Sequence, residues 1–148
     1  MATPILTSEE VRLFLQDRSE LNPLLLGIRF TPEMIEQAMI NTVDYYNLMN
    51  PPLGIMYSLE DFPYRSLLLL GTAAYLLRSG AINEAANQLT YAADGVQVND
   101  KDKAQIFMSL SKDMQEDFKA LGQQIKMNQN IAAVYGVKHS EYIYRRRY

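Results

Sequence analysis

Apolar residues recur at helical spacing along most of this chain, and stretches rich in Pro, Asn and Gly divide them into segments. A first helix is predicted to start at Thr7, because Thr7-Ser8-Glu9-Glu10 sets a hydroxyl three residues before a carboxylate, the pattern of a capping box. Val11, Phe14 and Leu15 then share one face, and the helix is expected to end near Arg18. Asn22-Pro23 opposes continuation, since the residue before a proline is pushed out of the helical region. The connector that follows, with Leu24, Leu25, Leu26 and Ile28, is too apolar to hang free in solvent. A second start is written in Thr31-Pro32-Glu33, which supplies an N-cap, a proline at the first helical position and a carboxylate at the positive end of the dipole. Ile35, Ala38, Met39, Val43 and Tyr46 carry that helix until Asn50-Pro51-Pro52 stops it, and residues 53–58 must bend.

Pro63 can open a third helix through Leu67-Leu68-Leu69-Leu70, ending near Ser79-Gly80, where glycine would supply a left-handed cap. Apolar on all sides, it belongs at the centre of the fold. A fourth helix is predicted over 82–93, with Ala85, Ala86, Leu89 and Ala93 on one face and Asp94-Gly95 as its stop. Val96-Gln97-Val98 reads as a strand-like triplet, and Asn99 or Asp100 can cap a long helix from Lys101 to about Asn128. In that helix Ile106, Leu110, Met114, Phe118, Leu121 and Ile125 rise in steps of three or four, which predicts a single buried stripe. At about 1.5 Å per residue it reaches roughly 40 Å, so part of it is expected to project towards a neighbouring subunit. After Ile131-Ala132-Ala133 the pattern fades, and Tyr142, Tyr144, Arg146 and Tyr148 fall on alternate positions, as in an extended segment. The expected fold is mainly α: a helical bundle of about five helices with a long C-terminal helix and an extended C-terminal arm, divided into a helical domain over 1–132 and the arm over 133–148.

Composition agrees with one folded domain. The chain has 148 residues, 48% of them apolar and 21% charged, far from the profile of disorder. It has no cysteine, so disulfides and thiolate metal sites are excluded. The net charge of -3 hides a contrast: residues 138–148 carry four basic side chains and one acidic, whereas the remainder has ten Lys and Arg against sixteen Asp and Glu. Tyrosine and arginine are the types that anchor interfaces, by burying large area or offering forked donors. Tyr142, Tyr144, Arg145, Arg146, Arg147 and Tyr148 are therefore the candidate partner-binding residues. Broad nucleic-acid binding, which needs a basic face, does not suit an acidic body. The longest apolar run, Leu67 to Leu77, falls short of the roughly 18 to 20 residues that span a bilayer, and residues 1–6 lack the pattern of a secretory signal, so neither membrane insertion nor export is expected.

No catalytic, cofactor-binding or metal-binding residue stands out. His139 is the single histidine. The acidic stretch from Asp94 fails as a calcium loop, with Val96, Asn99 and Gln105 at the third, sixth and twelfth positions. No nucleophile elbow or phosphate loop occurs. The pairs Glu9/Glu10, Glu60/Asp61 and Glu116/Asp117 read as helix capping and solvated faces, not as acid–base catalysts. A non-enzymatic interaction protein is the expected class.

The segment 67–79, the stretch from Glu84 through Asn87-Gln88-Leu89-Thr90-Tyr91 to Asp94-Gly95-Val96-Gln97-Val98, and the helix from Lys101 together resemble virion structural proteins of tailed bacteriophages. Small helical chains of this kind with an extended terminus look most like head-to-tail connectors, the adaptor or neck proteins that ring the portal. The resemblance implies a homo-oligomer, commonly a dodecameric ring, located in the virion after synthesis in the host cytoplasm, with the portal and neighbouring neck or tail proteins as partners and DNA only as passing cargo in the channel. It implies no cofactor. The alternative expectation is a small helical nucleic-acid-binding or regulatory protein that sets its Tyr/Arg-rich tail on phosphates and bases.

Overall fold

Two threonines start the first two helices by the same local chemistry. In α1 (Ser8–Leu15) the Thr7 hydroxyl accepts the Glu10 N–H at 3.3 Å while the Glu10 carboxylate accepts the Thr7 N–H at 2.9 Å, which completes the capping box. In α2 (Pro32–Leu48) Thr31 accepts the Met34 N–H at 3.4 Å, with proline at the first position. The computed structural model describes residues 5–18, 20, 27–87, 90–93, 96–99 and 101–135. α1 stops at Leu15, before the expected Arg18, because Gln16 turns left-handed at φ 55° and sends its N–H back to the carbonyls of Arg12 and Leu13. Asp17 then ties the chain down: its buried carboxylate accepts the N–H groups of Arg29 at 2.8 Å and Phe30 at 2.9 Å.

α3 (Arg65–Ala86) corrects the expected break at Ser79-Gly80. Gly80 lies inside the helix, where a Cβ would sit 3.6 Å from Phe30 Cζ, so the residue meets a packed aromatic ring and does not end the helix. The helix expected over 82–93 is corrected as well. Its first part is the end of α3, and its last four residues form β1 (Thr90–Ala93), paired antiparallel with β2 (Val96–Asn99) in the register Ala93↔Val96 and Thr90↔Asn99. Asp94-Gly95 belongs to the dipeptides favoured between hairpin strands, and pairing with the Val-Gln-Val segment satisfies backbone groups that a short, exposed helix would leave to water. The described residues thus hold four helices and one hairpin, not five helices.

α4 (Lys101–Tyr135) has 35 residues, about 52 Å of helix, and continues past Asn128 into positions 133–135 of the expected arm. α3 runs antiparallel to both α2 and α4. They meet closely at Gly71, where a Cβ would stand 2.3 Å from Thr42 Cγ2 and 2.9 Å from Phe118 Cε2. One turn further on, the Ser111 hydroxyl donates to the Ala74 carbonyl at 2.8 Å. Ile35, Val43, Tyr46, Phe62, Leu68, Leu76 and Phe118 fill the core, and α1 covers one side with Val11 and an ion pair between Glu10 and Arg65.

The single buried stripe expected on α4 is only partly correct. Phe118 is buried and Met114 and Ile125 are half-buried, but Ile106, Leu110 and Leu121 are exposed. Each step of four residues overshoots a turn by about 40°, so 106, 110, 114 and 118 walk round the helix from solvent into the core. The buried line is instead Ala104, Ser111, Phe118, Gly122 and Lys126.

Candidate interaction surface

Polar side chains on the last turns of α4 decide how one end of the bundle is built. Lys126 is fully buried; its Nζ donates to the carbonyls of Asn47, at 3.3 Å, and Met49, and lies 4.8 Å from the centroid of the Tyr46 ring. Burial lowers the pKa of this ammonium. The last turn of α2 has no basic residue of its own, so the cation that favours its negative end comes from α4. Gln129 donates to the hydroxyls of Tyr57, at 3.3 Å, and Tyr64, and Asn130 donates to the Pro52 carbonyl at 3.2 Å. From the other side, the Asn47 amide binds both the carbonyl and the N–H of Tyr57. Residues 49–57 are thereby held against 126–130. Tyr46, Tyr57, Phe62 and Tyr64 pack edge-on or tilted between them, and burial raises the pKa of Tyr46 and Tyr64.

This end leaves several large apolar side chains in water, beside exposed polar ones such as Asn50, Gln124 and Asn128. Leu48 is 81% exposed, Met56 76% and Val134 74%, and Ile55, Met127 and Ile131 are exposed beside them in the chain. Residues 131–134 are all exposed, so the final turn of α4 presents its side chains largely to solvent. Exposed apolar surface of this kind marks interaction sites in folded proteins.

A second feature lies towards the other end. α2 and α3 enclose a groove of about 380 Å³ with Ala38 and Leu76 at its floor and Glu33, Gln37, Asn41 and Ser79 among its lining. Burial raises the pKa of Tyr75, which also lines it; Tyr45 and Asp44 add to the rise and Arg78 opposes it. A smaller cavity of about 20 Å³ between Tyr45, Gly71, Ser111 and Phe118 has room for about one water molecule.

Tyr142, Tyr144, Arg145, Arg146, Arg147 and Tyr148, the partner-binding residues expected from sequence, lie outside the described residues, as does His139. The acidic pairs have local partners or face solvent. Glu9 pairs with Arg12 at 3.2 Å, Glu10 completes the capping box, Asp61 accepts the Ser58 hydroxyl at 3.0 Å, and Glu116 and Asp117 are exposed on α4. Among the described residues no group of three or more His, Cys, Asp or Glu could hold a metal ion, and no helix is long and apolar enough to cross a membrane. Sequence reasoning missed both the apolar end and the α2/α3 groove. Met127, Ile131 and Val134, on the wet side of an amphipathic helix, were the available signal for the first; the groove depends on how two helices meet and left none. Comparison with protein-family models, with curated proteins and with solved structures finds no match.

Proposed function

We propose that this chain is a non-enzymatic structural subunit of a bacteriophage head-to-tail connector, an adaptor or neck ring that joins the portal to the tail around the DNA channel. The observation that carries the reading is the end of α4: a helix some thirteen residues longer than α3 presents Ile131 and Val134 to solvent on its last turn. A lone subunit gains nothing from such a surface, whereas a neighbour in a ring would cover it. The resemblance of the helix–hairpin–helix segment to virion proteins supplies the rest. In this reading twelve copies form the ring in the virion, the acidic body lines or borders a channel that does not retain DNA, and the Tyr/Arg-rich segment holds protein.

Light scattering on the purified chain, alone and with portal rings, tests the proposal. A defined oligomer, or a complex with the portal, is the expected result. A strict monomer that ignores portal rings overturns it, and tight DNA binding that weakens steeply with salt would favour the nucleic-acid alternative instead.

A further inference from the structure

We infer that the groove between α2 and α3 is the receptor for residues 138–148 of a second copy of this chain. The inference rests on the assembly reading above and names the contact that would build it. At about 380 Å³ the groove is in the range of clefts that take small ligands, roughly 300–1,000 Å³, so it suits a few side chains of an extended segment and not a folded surface. Its chemistry matches that segment. The floor at Ala38 and Leu76 is buried and apolar, and Gln37, Asn41 and Ser79 offer hydrogen-bonding groups. A tyrosine, apolar in its ring and polar at its tip, satisfies both. Charge is complementary as well: Glu33, which Arg12 also approaches, lines the groove, and α2 adds Glu36 and Asp44 outside the lining and no Lys or Arg, whereas 138–148 brings Lys138 and Arg145 to Arg147. Arg78 of α3 stands beside Tyr75, which directs the basic segment to the α2 side.

For Tyr142 and Tyr144, reach selects a second copy over the same one. Ser111 touches Ala74 beside the groove, and α4 then runs twenty-four residues away from it to Tyr135, about 36 Å. A chain returning from there spans at most about 3.4 Å per residue, so Tyr142 and Tyr144 cover at most about 24 and 31 Å and fall short of their own groove, and only residues 146–148 come within its range. The groove and the end of α4 at Tyr135 therefore lie at opposite ends of the subunit. Such head-to-tail contacts form rings when the rotation between copies closes.

Because the chain has no cysteine, a disulfide between introduced thiols reads this contact directly. In the full chain, Gln37→Cys with Tyr144→Cys is expected to give, under mild oxidation, a ladder of linked chains beyond the dimer, which neither single variant can form. Asn41→Cys with Tyr142→Cys provides an independent pair should the first disturb folding. Separately, Arg145→Glu with Arg147→Glu is expected to weaken self-association roughly tenfold, and Glu33→Arg to recover part of that loss. Links confined within single chains overturn the second copy as occupant. Oligomers that form normally while neither pair links and the charge variants have no effect overturn the groove as receptor and leave the ring reading intact. A chain that stays monomeric at every concentration and ignores the portal overturns the ring reading, and this inference with it.

Discussion

Lys126 of α4 donates a hydrogen bond to the carbonyl of Met49, the residue at which α2 stops, and so closes the end of one helix with a cation from another. No carboxylate takes part in the contacts described for this ammonium; two carbonyls and the face of Tyr46 hold it. Replacing it by an apolar side chain of similar length removes a buried charge but leaves two carbonyls without their donor. We expect Lys126→Met to lower stability by about 1–3 kcal/mol in urea unfolding with little change in slope. Lys126→Glu, which sets a carboxylate against carbonyl oxygens, should prevent stable folding. A Lys126→Met protein as stable as the natural chain would show that the cap contributes nothing net.

Gly71 and Gly122 both lie on buried faces, yet they predict opposite outcomes. Alanine at 71 drives its methyl into Thr42 Cγ2 and the Phe118 ring, neither free to leave, and should cost about 1–3 kcal/mol. Alanine at 122 meets Met49 Cε at 2.5 Å, the free end of a flexible side chain, and gains about 1 kcal/mol of helix propensity. Its net change should stay within about 1 kcal/mol of zero. Thr42→Ser, which removes Cγ2 and keeps the hydroxyl bond to the Ala38 carbonyl, should recover part of the Gly71→Ala loss, as a double-mutant cycle would measure.

Asp17→Ala removes the carboxylate that receives the backbone of Arg29 and Phe30 at the entry to α2. Two amide donors, one of them buried, lose a charged acceptor, and a destabilisation of about 3 kcal/mol is expected. Asp17→Asn keeps one acceptor oxygen and should cost less. Equal melting temperatures for both variants would contradict this account.

The Tyr46 hydroxyl is buried and has no hydrogen-bond partner among the described residues. Burial raises its pKa above the ordinary 10.0, and the neighbouring Tyr64 and Tyr57 add to the rise. A raised folded pKa means that the unfolded chain loses this proton first, so the stability is complete below about pH 10 and is lost as pH climbs towards the folded value. Lys126, lowered by burial, acts in the opposite sense, because below pH 10.5 the unfolded chain holds its proton more tightly than the folded one. Tyr46→Phe should therefore be neutral or slightly stabilising near pH 7 and should flatten the loss of stability above about pH 10. Urea midpoints measured from pH 7 to 11 test both statements.

Ile131 and Val134 are exposed, so Ile131→Lys with Val134→Lys should change monomer stability by only about 0.5 kcal/mol per site. The same pair should abolish oligomer formation in sedimentation if the projecting turn of α4 is covered in the assembly. Unchanged assembly would remove this turn from the interface.

Short-range chemistry wrote the starts of α1 and α2, because a capping box and a threonine–proline pair act within three residues and are complete in the sequence. The length of α4 and its amphipathic character were legible too, since periodicity is local, although it ran seven residues beyond the predicted end. The end of α3 was not legible. Ile82 to Ala93 has helical spacing throughout, and its last four residues form a strand because Val96 to Asn99 is there to pair with them. The wet and dry faces of α4 were misjudged because the apolar residues form a band wider than the contact, and Gly71, Ser111 and Gly122 decide which edge of that band touches α2 and α3. Lys126 would read as a solvated charge in any linear pattern. Only the arrival of the end of α2, nearly eighty residues earlier in the chain, gave that ammonium carbonyls to bind and an aromatic face to lie on, and a contact between such distant residues depends on helix packing that local sequence does not encode.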